Sequence, residues 1–288
     1  MNIMENIADL AMEKSQNHLV HAHGAAVLTR RLLAADVDSV NENNNDSLEQ
    51  YFLDQLVIYS HFAGIYFGKP NGDFFYVSRN GQRSPGGFRT KNIFHRGGIR
   101  KTALTWRDKN LNILSKEVDP KDRFDPRGRP WYKKALEHKK IVWTDPYIFF
   151  TSQKPGITIA GPTYDESGAL QGIVGVDIEI DQLSKFIAAM NIGKNGQAFM
   201  INNNGDVVAF PDLDKIKITG KESSTNYSLA KIDELDDFLS RKAFSAMDIK
   251  VDHNDRYSLK ESKFARFEHD GKFYHAMLTP FSYSSWPW

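Results

Sequence analysis

The sequence predicts an α+β fold: a long N-terminal helix followed by two units built on antiparallel sheets. Three observations carry that prediction. The first 35 or so residues contain no proline and one glycine, Gly24, and their apolar positions thicken into a helical stripe through Leu19, Ala22, Ala26 and Leu33. Beyond them, β-prone runs joined by turn signals alternate with short helical patterns. That order argues for antiparallel hairpins rather than strand–helix–strand crossovers. A strand, Asn-Gly-Asp, strand hairpin at residues 64–77 returns as a strand, Asn-Asn-Gly-Asp, strand hairpin at 198–210. The chain therefore reads as a weak internal repeat of two units, the first larger.

Composition narrows the function classes. A chain of 288 residues can bury two modest cores. Its formal charge of +1 argues against a nucleic-acid groove, which shows a basic excess. No run approaches the roughly 18 apolar residues of a membrane span, and the first ten residues lack the basic start and apolar core of a signal peptide. With no cysteine there are no disulfides, thiolate nucleophiles or Cys-type zinc sites. The chain stops on the apolar Ser285-Trp286-Pro287-Trp288, and a longer parent protein is expected.

Taken in order, the first helix carries His18, His21 and His23. His18 and His21 share a face, but no carboxylate set completes a metal site, and solvent-facing histidines are the expected reading. An Asn-rich loop at 41–46 precedes a second helix at 48–59, with Asp46 or Ser47 as its cap. The hairpin at 64–77 turns at Asn71-Gly72. Residues 79–98, rich in Gly, Arg and Ser, read as a long loop. Residues 99–106 and 111–118 form another strand pair, 131–138 a short helix, and 141–149 and 156–164 strands. The strand at 170–180 is the clearest, with Val174, Val176, Ile178 and Ile180 on one face and Ile173, Gly175, Asp177 and Glu179 on the other. Asp181 is expected to cap a helix at 182–190. The second unit adds a helix at 232–247 and a hairpin at 264–280 turning at Asp270-Gly271.

The stretch from Phe124 to Asp177 concentrates the chemistry. Arg129 lies in a turn bracketed by Pro126 and Pro130, so its guanidinium fork is presented with little freedom, which suits a bidentate carboxylate. Trp131 adds an N–H donor and a broad wall, and Tyr132 a wall tipped by a hydroxyl. Asp177 interrupts a β-branched strand. Gly175, on the same face, is expected to leave space above the sheet for Asp177 to line. A buried carboxylate there needs a protein cation or a ligand ammonium. The same residues also satisfy a purely structural reading, with Arg129 paired to Asp177 or Asp125 and the aromatics packed in a core. Enzyme readings find little support. Phosphate loops, Gly-x-Ser-x-Gly and His-Glu-x-x-His are absent. Ser284 and Ser285 have no evident base, and Glu179 and Asp181 suit a strand end and a helix cap better than a cation site.

Arg129-Pro130-Trp131-Tyr132, Asp145-Pro146-Tyr147, the strand from Thr158 to Pro162 and the strand from Gly172 to Ile180 together resemble the double Cache sensor domain. The resemblance covers nearly the whole chain and is strongest between Phe124 and Phe186. It implies two PAS-like α/β subdomains on a long N-terminal helix: residues 1–40 the helix, 41–190 a membrane-distal subdomain with the ligand pocket, and 191–288 a membrane-proximal one. It further implies a periplasmic sensor, membrane-anchored in an inner-membrane receptor. The receptor's output would be a chemoreceptor, histidine kinase or diguanylate cyclase module, and the domain itself would carry no catalysis and need no cofactor. In the family's amino-acid-binding subgroup, position-by-position transfer makes Arg129 and Trp131 hold the ligand carboxylate and Tyr132, Tyr147 and Asp177 its ammonium. The subgroup's set begins with a tyrosine where this chain has Phe124. One neutral hydrogen bond is worth roughly 0.5–1.5 kcal/mol, about a tenfold loss of affinity. Tyr66 and Trp106, on strands expected to be neighbours, are assigned to the side-chain end of the pocket. The ligand implied is an amino acid, amine or small carboxylate. The alternative is a sensor-shaped module acting by dimerisation or by binding a periplasmic protein. The long helix suits a weak parallel homodimer.

Overall fold

A computed structural model describes residues 3–35, 45–190, 192, 195–216, 229–252 and 256–281. The Asn-rich residues 41–44 and the C-terminal 282–288, including Ser284 and Ser285, lie outside the described residues. The long helix is α1, Ile3–Ala35. Helix α2, Asp46–Ile58, follows Asn45, whose side chain makes no capping bond. Asp46, expected as the cap, stands instead in the first turn with Glu49, where carboxylates suit the helix dipole. Five strands come next: β1 Gly64–Gly68, β2 Phe74–Arg79, β3 Phe88–Arg96, β4 Ile99–Arg107 and β5 Ile113–Val118. A 3-10 turn at Pro126–Gly128 leads into α3, Pro130–His138. Strands β6 Val142–Trp143, β7 Tyr147–Ile148, β8 Pro155–Tyr164 and β9 Leu170–Glu179 follow. The remainder comprises α4 Ile180–Ala188, β10 Met200–Ile201, β11 Val207–Ala209, α5 Phe238–Ser245, β12 Lys263–His269 and β13 Lys272–Leu278. Among the described residues no helix is long and apolar enough to cross a membrane.

The chain divides into two compact units, one of residues 20–179 and one combining residues 1–19 with 180–288. The break falls after Glu179 rather than near residue 190. The cause is α4: Ile180 joins the second unit's core beside Val207 and Phe210, and the Ser184 hydroxyl accepts the Phe210 N–H at 3.3 Å. The helix begins at Ile180, so Asp181 lies in its first turn rather than capping it.

In the first unit a nine-stranded antiparallel sheet runs β5-β4-β3-β2-β1-β9-β8-β6, with β7 also on β8. One face packs on the helices. Phe75 meets Phe52 of α2 at 5.8 Å, and Arg30 of α1 donates to the Pro162 carbonyl at 2.6 Å. The other face receives α3, whose Trp131 lies on Tyr66 with ring centroids 4.6 Å apart.

Two elements here depart from expectation. Residues 88–96 are a full strand, not part of a loop. Gly97 and Gly98 (φ 54° and 77°) make the tight two-residue turn that pairs Arg96 with Ile99, and such turns require positive φ at both positions. Residues 141–149 form two short strands rather than one, with Pro146, which cannot donate to a ladder, lying between them.

In the second unit Ile180, Val207, Phe210, Ile232 and Leu235 are buried together. The helix expected at 232–247 is confined to Phe238–Ser245. Upstream, the Val207 N–H donates to Ala230 and the Ile232 N–H to Gly205, holding that segment extended against β11. The Asp237 carboxylate then caps the helix through the Ser240 N–H at 2.9 Å. The β12–β13 hairpin turns at Asp270 and Gly271, both at positive φ.

Candidate ligand site

The site is built on β1, β8, β9 and α3 of the first unit. Antiparallel pairing puts Asp177 opposite both Gly64 and Thr158, and Gly175 opposite both Tyr66 and Ala160. Facing residues in such a ladder share a side of the sheet, so these side chains lie on the α3 face. The space over Gly175 is not open, as the sequence suggested. A Cβ there would come 2.0 Å from Tyr66 Cε2, so the glycine makes room for the tyrosine ring. Gly64 does the same for Tyr76.

Tyr66 is thereby aimed at Asp177. Its hydroxyl donates to Asp177 Oδ1 at 2.7 Å, and the Thr158 hydroxyl donates to the same oxygen at 2.6 Å. Tyr147 Oη lies 2.7 Å from Thr158 Oγ1. A hydroxyl has one proton, and that of Thr158 goes to the carboxylate, so Tyr147 must donate to Thr158. The chain Tyr147 to Thr158 to Asp177 is thus polarised in one direction. Thr158 itself is fixed by its backbone N–H to Thr144 Oγ1 at 2.9 Å. Asp177 Oδ2 receives no hydrogen bond among the described residues, and Asp177 is only 5% exposed. Burial pushes its pKa from 3.8 to about 7, against the pull of the Thr158 and Tyr66 hydrogen bonds.

Arg129 ends the 3-10 turn, where Asp125 caps the Arg127 N–H. It pairs with neither aspartate of the structural reading: Asp125 takes Arg127 at 2.8 Å, and Asp177 takes the two hydroxyls. Its Nη2 donates instead to the Ile148 carbonyl at 3.0 Å, with the guanidinium 5.7 Å from the Tyr147 ring and 5.8 Å from the Phe150 ring. Trp131 and Tyr132 are almost fully buried, edge-on to each other. Burial raises the Tyr132 pKa, and the charges acting on its hydroxyl are Arg127 and Asp125 rather than Asp177. Phe124 packs on Phe74 at 4.6 Å and edge-on to Phe150 at 5.2 Å, with Lys91 Nζ 5.0 Å from its ring centre.

Tyr66 and Trp106 are not on neighbouring strands. β2 and β3 lie between β1 and β4, so Tyr66 joins the Asp177 end while Trp106 stands farther along the sheet under the Arg89 guanidinium, 5.6 Å from its ring centre. A concavity of about 670 Å³, mostly apolar, lies in the other unit among Met12, Phe199, Phe244, Tyr257 and Met277. Its Asp237 is already paired with Lys215 at 2.7 Å, so it does not set unlike charges opposite each other. Among the described residues no cluster of three or more His, Cys, Asp or Glu could hold a metal ion.

The family model of the Cache domain, double Cache type, matches residues 3–286. The chain belongs to the double Cache family. The Cache domain is a sensor domain. It is similar to the methyl-accepting chemotaxis protein McpG of Pseudomonas putida, at 36% identity over 95 residues, 33% of this chain and 15% of that protein. The chain thus spans far less than two thirds of that relative's length. Among solved structures it is similar to the ligand-binding domain of the amino acid chemoreceptor PctB of Pseudomonas aeruginosa in complex with L-Arg (TM-score 0.58, 17% identity, 98% of this chain and 88% of that one). It is also similar to the ligand-binding domain of the chemoreceptor Tlp3 of Campylobacter jejuni in complex with L-valine (TM-score 0.54, 14% identity, 95% and 90%).

Of the residues singled out from sequence, this Cache domain brings Tyr66, Tyr147 and Asp177 into one hydrogen-bonded set and places Arg129, Phe124 and Trp131 around the same face. Thr158, the hub of the set, is by sequence alone simply part of a strand. Its signal was available: it is a polar residue in register with Asp177 in an otherwise apolar run. Arg89 and Lys91 lie on β3, in a stretch whose Gly, Arg and Ser content has the composition of a loop.

Proposed function

We propose that this domain senses a free α-amino acid through the α3 face of the first unit and reports it to a methyl-accepting chemotaxis receptor in the inner membrane. The observation that carries the reading is the polarised hydroxyl chain. With their protons committed to Thr158 and Asp177, Tyr147 Oη and Asp177 Oδ2 are left as acceptors, which suits an ammonium donor. Arg129, which lacks a carboxylate partner among the described residues, suits the ligand carboxylate, with Trp131 beside it. The receptors named above, one with L-Arg and one with L-valine, support an amino acid as the ligand class. A module without a small-molecule ligand would be favoured by an Arg129–Asp177 ion pair, and these side chains are engaged separately.

Isothermal titration calorimetry of the purified domain against the common L-amino acids tests the reading. At least one is expected to bind. Asp177→Ala is expected to weaken that binding about ten- to a hundredfold, the range for a hydrogen bond to a charged group. Equal binding by Asp177→Ala, or no amino acid binding at all, would overturn it.

A further inference from the structure

The α3 face carries more positive charge than a neutral zwitterion can use. Asp177 pairs across the sheet with Gly64, Gly64 with Ser78, Ser78 with Arg89 and Arg89 with Trp106, so Arg89 and Trp106 share the face of Asp177. Lys91, two residues on, shares it too. Arg89 forms no ion pair among the described residues. Its Nη2 donates to the Thr151 hydroxyl at 3.2 Å, while its buried Nε has no partner. The indole N–H of Trp106, a residue 6% exposed, is likewise buried without an acceptor. Unsatisfied donors of this kind cost about 1–3 kcal/mol each, more when charged, and are the exception in folded proteins.

Three cationic side chains converge on one short segment, residues 148–151. Arg129 donates to the Ile148 carbonyl and lies over Phe150, Lys91 lies 5.6 Å from the same ring's centre, and Arg89 reaches Thr151. Lys91 has a carboxylate partner in Asp122 at 2.6 Å, but Arg100 takes the other oxygen of that carboxylate, also at 2.6 Å. Arg89, Lys91, Arg100 and Arg129 thus face Asp119, Asp122 and Asp177, an excess of one positive charge. Burial holds the Arg89 pKa below its ordinary value, the mark of a cation short of compensation.

From this geometry we infer that the ligand is an acidic amino acid, with its α-carboxylate at Arg129, its ammonium at Asp177 and Tyr147, and its side-chain carboxylate at Arg89 and the Trp106 N–H. The inference presupposes the amino-acid reading of the site and adds the class of side chain. An acidic amino acid brings one net negative charge and acceptors for both orphaned donors. A site built to bond a charged group also rejects analogues that leave its buried donors unpaired.

The test is calorimetry with L-glutamate, L-aspartate, L-glutamine, L-asparagine and L-leucine on the wild-type domain and on Arg89→Gln, Arg89→Lys and Asp177→Asn. L-glutamate or L-aspartate is expected to bind at least tenfold tighter than its amide. Arg89→Gln should bring acid and amide to parity, and Arg89→Lys should keep part of the preference. Amides or leucine binding as tightly as the acids, or a preference unchanged in Arg89→Gln, would overturn the inference. If neutral amino acids bind and Asp177→Asn abolishes that binding, the amino-acid reading stands and only the acidic class falls. If none of the five binds, the acidic class falls, and the amino-acid reading falls with it only if the other common L-amino acids fail to bind as well.

Discussion

At the scale of single residues, Asp177 sets the terms. Unfolded, it ionises near 3.8; in the fold it stays protonated to about 7. Between those values the folded state holds the extra proton, so stability falls as pH rises through that window and levels off above 7. The gap corresponds to about 4 kcal/mol at most. Asp177→Asn, which keeps the shape and an acceptor for Tyr66 and Thr158, is therefore expected to raise the melting temperature of the ligand-free domain by several degrees at pH 8. At pH 4 it should have little effect, and differential scanning calorimetry at the two values checks this. Binding has the opposite sign. An ammonium needs the ionised carboxylate, so affinity should fall about tenfold per unit as pH drops below 7 and be flat just above it, as read by calorimetry from pH 5 to 8. A flat profile through pH 5 would remove Asp177 from the site. The buried carboxylate in β9 was legible in the sequence, because a carboxylate breaking a β-branched strand is conspicuous by alternation alone. The hydroxyls that receive it were not, because a threonine in register with it and a tyrosine one strand away become neighbours only once the pairing is known.

At the scale of elements, the site depends on which strands lack side chains. Tyr66 reaches Asp177 because β9 has no Cβ at position 175, and Tyr76 lies flat because β1 has none at 64. Gly175→Ala puts a methyl inside the Tyr66 ring, and displacing a packed aromatic costs about 1–3 kcal/mol. The variant is expected to melt lower and to lose ligand affinity at least tenfold, even though residue 175 itself contacts no ligand. Unchanged affinity would mean that Tyr66 does not hold Asp177 in its binding posture. The glycine was visible in the sequence, but its meaning was inverted. Alternation alone makes it space above the sheet, whereas the cross-strand register gives that space to the Tyr66 ring. The missed strand at 88–96 has a similar cause. Its Gly97-Gly98 ending was read as loop composition, although two glycines at positive φ are what a two-residue hairpin turn requires. Without β3, Arg89 and Lys91 would fall in a loop and Trp106 beside Tyr66; with it, two strands separate them.

At the scale of the whole molecule, the two-unit plan was legible from the repeated hairpin signals. The break at 179/180 was not, because α4 follows β9 without a turn and its allegiance is decided by Ile180 and Ser184 packing in the second core. The division has a measurable consequence. Every residue assigned to the ligand, from Tyr66 to Asp177, belongs to the unit of residues 20–179, while Leu235 is fully buried in the other core. Leu235→Ala removes three carbons from that core and should cost about 2–5 kcal/mol. The loss is expected in the thermal unfolding of the second unit, while calorimetric affinity for the amino acid at 25 °C stays within about twofold of wild type. In the wild type, ligand at a hundred times its Kd should stabilise the unit that holds the site by about 2.7 kcal/mol. If Leu235→Ala weakened binding as strongly as Asp177→Asn, the ligand would have to be sought in the second unit, in the apolar concavity among Met12, Phe244 and Met277. Preserved affinity in a domain whose second core is weakened would instead place recognition in the first unit.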